Sequence, residues 1–447
     1  MSIENDLTMK RKSLFWLILF LGVNVSVFAQ KKTILEGFIK YGNTQQITLF
    51  TIENGKLKEC ETAMVKQDRS YNFTFVPERP GFYALGDKQK NFPIYMKGGE
   101  KIQVNLYKDG VVFMGKNTKE NKALYQWEKY LNDMRAMSGK EITYKEFFPW
   151  LTKFVTKIDS LKGVLTSGNR VFDKLLHRKM DYDVDYYAIM FLMSPRSLQP
   201  QRSDWPAFYD TILSDEKFAT DELLSLPGGA NILMTYYNFT YRIDAPKKGE
   251  EAFHNASLRG EVLLYVFSIR AKYYSEYEDF IKENGNILTE NQKERAKIIA
   301  AKLYPSLVGK KGNFTYPDVN GKEVSLSDFE GKVVVVDVWT TTCGACFAQY
   351  VYLTKLVEEL QGKDVVFVGI SLDREKDKQK WMNVVKEKYL EGIQLYASDQ
   401  SQFAKDYNIT GVPRFIVFDK KGCVVKEEAP RPSDPLLKEI IETELKK

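Results

Sequence analysis

At 447 residues the chain exceeds the roughly 250 to 300 at which one hydrophobic core stops growing, so several folding units are expected. Hydrophobic residues make up 44% and charged residues 28%, which excludes a disordered or collagen-like chain. The net charge of +6 is spread through interleaved Lys/Arg and Asp/Glu, with no sustained basic block, and this argues against nucleic acid as a partner.

Lys10, Arg11 and Lys12 precede an apolar run from Leu14 to Val27, which ends Val27-Phe28-Ala29 before Gln30. A cationic start, an apolar stretch and a small residue before the cut form an export signal, with Met9 an alternative initiator. Residues 1–29 are therefore expected to be a cleaved signal peptide, placing the remainder in the periplasm or cell envelope. An uncleaved anchor helix is the competing reading, but Asn24 and Ser26 shorten the stretch below the roughly 20 residues a bilayer span needs. No Cys follows the run, so a lipoprotein anchor is not indicated.

Residues 31–115 read as an all-β sandwich or barrel. Gln46 to Phe50, Tyr71 to Phe75 and Lys101 to Leu106 alternate apolar with polar residues, and Asn54-Gly55 and Gly98-Gly99 supply residues suited to tight turns. From residue 116 to 305 the period becomes helical, with Leu124, Trp127, Leu131 and Met134 on one face and Leu151, Phe154, Val155 and Ile158 on another. Pro227-Gly228-Gly229 interrupts this all-α region, and Thr289 with Gln292 fits a capping box opening its last helix. Its aromatic pairs, Tyr236-Tyr237 and Tyr273-Tyr274, are read as helix core in preference to a ligand groove.

Residues 306–447 read as α/β. Asn320-Gly321 marks a hairpin, and Val333 to Val338 and Val365 to Ile370 are apolar runs suited to central strands covered on both faces. Phe415 to Phe418 and Val424 to Lys426 flank Lys421-Gly422 as a closing hairpin, and a last helix runs from Pro435.

The four cysteines, at 60, 343, 346 and 423, are too few to staple a chain this long, so their role is chemical first. Two histidines, His177 and His254, leave a zinc site without four plausible ligands, and neither metal nor cofactor is expected. Cys343-Gly344-Ala345-Cys346 follows a buried strand and opens a helix from Phe347 to Leu360. A helix N-terminus favours thiolate over thiol, so Cys343 is the candidate nucleophile. Cys346, one turn inside, is placed to close an intramolecular disulfide. Asp337 sits within the apolar strand, where desolvation raises its pKa toward values useful for taking a proton from the resolving thiol. Val412-Pro413 precedes a strand; a cis proline there leaves the preceding backbone free to pair with an extended substrate. Cys60 and Cys423 are read as small buried bystanders.

The strand, Trp339-Thr340-Thr341-Thr342-Cys343-Gly344-Ala345-Cys346 and Gly411-Val412-Pro413 together resemble the thioredoxin superfamily. The run Asp318 to Lys332 narrows the resemblance to the TlpA/ResA-like extracytoplasmic thiol-disulfide oxidoreductases, over about the last third of the chain. The resemblance implies that Cys343 attacks, Cys346 resolves, Asp337 is the buried acid and Pro413 the cis-proline opposite the dithiol. Trp339, Val412 and Pro413 are then the substrate-binding residues, although Trp339 also suits packing beneath the site. It further implies an inserted helix and strand within Lys376 to Tyr396, protein thiol or disulfide substrates, and a membrane thiol reductant as electron donor. Thr342, Ala345 and Gln349 depart from the usual Trp, Pro and Glu, so the direction of reaction does not carry over. No His separates the cysteines, which favours reductase or isomerase over oxidase. The two N-terminal regions resemble accessory segments for docking or homodimerisation.

Two other functions compete. Thr340, three residues before Cys343, matches the Thr of thiol peroxidases, but Val336 stands where their Pro is expected. Alternatively, the N-terminal half makes the protein an envelope binding module with a vestigial redox domain.

Overall fold

The computed structural model describes residues 31–447 except 88, 116, 244–246, 248 and 389, so the expected signal peptide lies outside the described residues. The chain forms two compact units that divide between Leu263 and Leu264.

The first unit begins with eight strands: β1 (Thr33–Phe38), β2 (Gln46–Glu53), β3 (Lys56–Met64), β4 (Ser70–Phe75), β5 (Gly81–Gly86), β6 (Asn91–Met96), β7 (Lys101–Tyr107) and β8 (Gly110–Met114). They form two four-stranded sheets, ordered β4-β1-β7-β8 and β3-β2-β5-β6. Both contribute alternate residues to one core, including Leu35, Leu49, Phe73, Leu85, Ile94, Ile102 and Val104. The expected sandwich or barrel is thus a sandwich, because among the described residues no strand closes one sheet onto the other.

Helices α1 (Lys119–Met137), α2 (Tyr144–Val155), α3 (Ile158–Val164), α4 (Arg170–Met193) and α5 (Gly229–Phe239) follow, and α6 (Ala256–Arg270) runs across the division. Leu124, Trp127, Leu131 and Met134 are all buried, as their spacing predicts. The β-rich and helical parts join at the β2–β3 turn, where the Gly55 N–H donates to the Leu224 carbonyl at 2.6 Å and the Ala230 N–H to the Gly55 carbonyl at 3.1 Å. Gly55 has φ +72, and a Cβ there would lie 2.3 Å from the Ala230 nitrogen, so glycine is required twice over.

The second unit contains α7 (Tyr274–Asn284), α8 (Glu290–Ala300), the hairpin β9 (Thr315–Pro317) and β10 (Glu323–Ser325), and then β11 (Val333–Trp339), α9 (Gly344–Glu359) and β12 (Val365–Ser371). It ends with α10 (Lys378–Glu387), β13 (Ile393–Tyr396), α11 (Gln402–Asp406), β14 (Arg414–Phe418), β15 (Val424–Ala429) and α12 (Pro435–Leu445). The sheet order is β13-β12-β11-β14-β15; β11, β12 and β13 run parallel, while β14 and β15 close the sheet antiparallel. Every residue of β11 is buried. Val333 and Val335 meet α9 and α12 through Leu353, Leu356, Leu437 and Ile441. Val334, Val336 and Val338 face Phe314, Phe403 and Tyr407. Coverage on both faces explains the unbroken apolar run.

Helices α7 and α8, which their periodicity groups with the central region, belong to this second unit. The Thr289–Gln292 capping box opens α8 as predicted. Arg414, 4% exposed, donates from Nη2 to Tyr273 Oη at 2.8 Å and from Nε to the Glu427 carbonyl at 2.8 Å; Tyr273 Oη in turn donates to the Tyr407 carbonyl at 2.7 Å. The buried Glu427 carboxylate accepts from Ser275 Oγ at 2.8 Å and the Leu307 N–H at 2.6 Å. These buried, fully partnered polar groups fix α7 against the β14–β15 end of the sheet.

Candidate active site

Strand β11 delivers its last residues to the C-terminal edge of the sheet, where the chain turns through Thr340 to Thr342 into α9. Cys343 caps that helix from extended backbone (φ −88, ψ 93), and its Sγ accepts the Cys346 N–H at 3.0 Å. The two cysteines form a disulfide with Cα atoms 5.3 Å apart. Cys343 is half-buried, whereas Cys346 is 1% exposed, so one sulfur can be reached and the other is enclosed. Thr342, Gly344 and Ala345 are exposed around the reachable sulfur. Cys346 packs with Trp339, Trp381 and Tyr396, and Cys343, Phe347 and Val412 border the same cluster. The Val412-Pro413 bond is cis, as its place before β14 suggested.

Asp337 is 5% exposed, and its Oδ1 is buried with no hydrogen-bond partner. Desolvation alone pushes the carboxyl up to about 7. In register it faces Gly369 of β12 and Phe415 of β14. The amide of Gln394 fills the space a side chain at 369 would take, since a Cβ there would lie 2.2 Å from Oε1. Gln394 accepts from Trp339 Nε1 at 3.2 Å and donates to the Glu391 carbonyl at 2.7 Å and Tyr350 Oη at 3.3 Å. Burial, and then the Asp337 charge, push the Tyr350 phenol up, which places it in the field of that carboxyl.

Three expectations are corrected here. Trp339 is fully enclosed, with its indole N–H bound to Gln394, so it supports the dithiol from below and cannot touch a substrate. Cys60 is free but exposed on β3, a strand buried hardly anywhere along its length, and Cys423 is free and half-buried; neither is a buried hydrophobe. Gln349 Oε1 accepts the Ser433 N–H at 3.1 Å.

Sequence reasoning missed Asp373. This buried carboxylate accepts the Thr341 N–H at 3.0 and 2.9 Å on its two oxygens, Thr341 Oγ1 at 2.7 Å and Ser371 Oγ at 2.8 Å. Its signal was weak: an Asp just past the second central strand, opposite the turn that carries the dithiol. Asp373→Ala removes three acceptor contacts to Thr341 in that turn and a fourth to Ser371 of β12. The expected result is a loss of about 2 to 4 kcal/mol of stability and roughly tenfold slower alkylation of reduced Cys343, followed by iodoacetamide labelling across pH.

A five-stranded sheet, a CxxC disulfide closing a helix N-terminus and a cis-proline beside it define a thioredoxin-fold oxidoreductase domain. The Redoxin family model matches residues 307–443. Thiol-disulfide oxidoreductase ResA of Bacillus thuringiensis subsp. konkukian is 29% identical over 121 residues, covering 27% of this chain and 68% of that protein. Thiol:disulfide interchange protein DsbE of Vibrio cholerae is 28% identical over 149 residues, covering 32% and 77%. The thioredoxin domain of a thiol-disulfide oxidoreductase from Bacteroides vulgatus is 30% identical, covering 30% of this chain and 96% of that structure, with a TM-score of 0.27. Over its C-terminal unit, the chain is similar to the TlpA/ResA-like thiol-disulfide oxidoreductases of the thioredoxin superfamily.

Proposed function

We propose that the protein works outside the cytoplasm as a reductase or isomerase of protein disulfides. One observation carries the reading: the disulfide joins a reachable sulfur at a helix N-terminus to an enclosed sulfur one turn inside it. In the reduced state the Cys346 N–H and the helix dipole stabilise the Cys343 thiolate. The thiolate attacks one substrate sulfur, the substrate S–S bond breaks, and a mixed disulfide forms as the other sulfur leaves as thiolate. Cys346 then gives up its proton and attacks Cys343 Sγ, expelling the second substrate thiolate and closing the protein disulfide. Two electrons pass from dithiol to substrate. Asp337, held near neutrality, is the acceptor proposed for the Cys346 proton. Val412 and Pro413 are the proposed resting place for the extended substrate backbone.

The export-type segment from Lys10 to Ala29 supports the location. Among the described residues no helix is long and apolar enough to cross a membrane. An oxidised protein must be re-reduced to act again as a reductase, and a membrane thiol reductant is the proposed donor.

Cys346→Ala tests the mechanism. Reduced variant mixed with a disulfide-bonded protein such as insulin is expected to accumulate a covalent adduct through Cys343 that dithiothreitol releases. An absence of adduct, with the variant folded and Cys343 free to alkylate, would overturn the reading.

A further inference from the structure

We propose that the first unit carries a docking groove for an acidic, extended segment of a partner polypeptide, which pairs with the free edge of β8. The groove has a volume of about 880 Å³ and lies between β8, the β6 residues Asn91 to Pro93, and α1. Each sheet of the sandwich ends here, β6 closing one and β8 the other.

The two edges are treated differently. On β6, Pro93 has no N–H to offer, and the Asn121 side chain takes up both polar groups of Tyr95, accepting its N–H at 2.8 Å and donating to its carbonyl at 2.8 Å. That edge is closed to further pairing. Strand β8, Gly110-Val111-Val112-Phe113-Met114, contains neither proline nor charge, and its residues are half-buried or exposed. The two-residue turn Lys108-Asp109 makes Tyr107 and Gly110 a hydrogen-bonded pair, and alternation along the antiparallel ladder then turns the N–H and C=O of Val111 and Phe113 outward. The opposite side of β7 agrees: Leu106, the partner of Val111, points its carbonyl to the Lys40 N–H at 2.7 Å. Among the described residues nothing pairs with the Val111 or Phe113 N–H. An unguarded apolar edge of this kind is a template for one more strand.

Charge selects the occupant. Lys40, Lys90, Lys108 and Lys129 line the groove, and none of them has a salt-bridge partner among the described residues. Of the carboxylates there, Glu128 is engaged with Arg135 at 2.8 Å and Lys179 at 3.4 Å, which leaves Asp109. A second copy pairing β8 to β8 would bring its own lysines into a groove that is already cationic, so the complement is an acidic strand from another protein.

The test uses the full chain and a short fluorescent peptide alternating Val and Glu, with a Val/Lys peptide as control. Saturable binding of the acidic peptide is expected, weakening with salt, with little binding of the basic one. Val111→Pro removes an outward N–H without breaking a β7 hydrogen bond; it is expected to weaken binding at least about tenfold at unchanged insulin reductase activity and melting temperature. Lys108→Glu with Lys129→Glu should reverse the preference between the peptides. Equal binding of the two peptides, full affinity in Val111→Pro, or self-association that Val111→Pro abolishes would overturn the proposal. Reductase activity is read separately, so either claim can fail alone.

Discussion

Cys343→Ser is expected to slow insulin reduction by at least about a thousandfold, because a serine hydroxyl is not ionised near neutrality and oxygen cannot form the mixed disulfide. The assay follows insulin precipitation with dithiothreitol as electron source and subtracts the rate of dithiothreitol alone. Because the Sγ-to-N–H contact with Cys346 belongs to the cap of α9, the substitution should keep the helix, and a serine hydroxyl can accept the same bond. Retention of more than a tenth of the wild-type rate would remove Cys343 from the role of nucleophile. The same outcome bears on the peroxidase alternative, since closure of the Cys343–Cys346 disulfide gives the dithiol a resolving partner.

Asp337→Asn is expected to make the second unit more stable and the enzyme slower. The folded carboxyl titrates at about 7 against an ordinary 3.8, so the folded state binds this proton more tightly than the unfolded chain. Stability therefore falls as pH rises through that interval, and the penalty is complete above pH 7. Roughly three units at 1.36 kcal/mol each set its size at about 4 kcal/mol. Asparagine keeps the shape without the charge. Its melting temperature should exceed wild type by on the order of 10 °C at pH 8, with the gap closing toward pH 4. Resolution of the mixed disulfide should slow roughly a hundredfold and lose its pH dependence near 7. A melting gap that does not change with pH would show that Asp337 is not the strained acid its burial implies.

Local pattern carried much of the second unit. A run of valines broken by one Asp, then a CxxC opening a helix, announces β11, Asp337 and the dithiol within fourteen residues of chain, Val333 to Cys346. The Val-Pro step before β14 is equally local. Contacts distant in sequence were not legible: Asp373 reaches Thr341 across 32 residues, and Gln394 reaches Trp339 across 55. Trp339 was ambiguous for another reason. In a strand covered on both faces, alternation no longer separates inside from outside. Cys60 shows the weakness of a burial prior applied to one residue type, since its strand is the exposed edge of its sheet. Periodicity also finds a helix without saying which core it joins, and so α7 and α8 were grouped by sequence neighbourhood.

The polar lock around Arg414 bears on where the redox unit can be cut from the chain. Arg414 directly follows the cis-proline, and its Nη2 depends on Tyr273, more than a hundred residues upstream. A fragment beginning at residue 306 has the sheet, both cysteines and Asp337. It lacks Tyr273 and Ser275, leaving one guanidinium N–H and part of the Glu427 carboxylate unpartnered. A fragment beginning at residue 264 retains both. The portable catalytic module is therefore longer at its N-terminus than the Redoxin match, and the helical pair before that match is part of its inner structure.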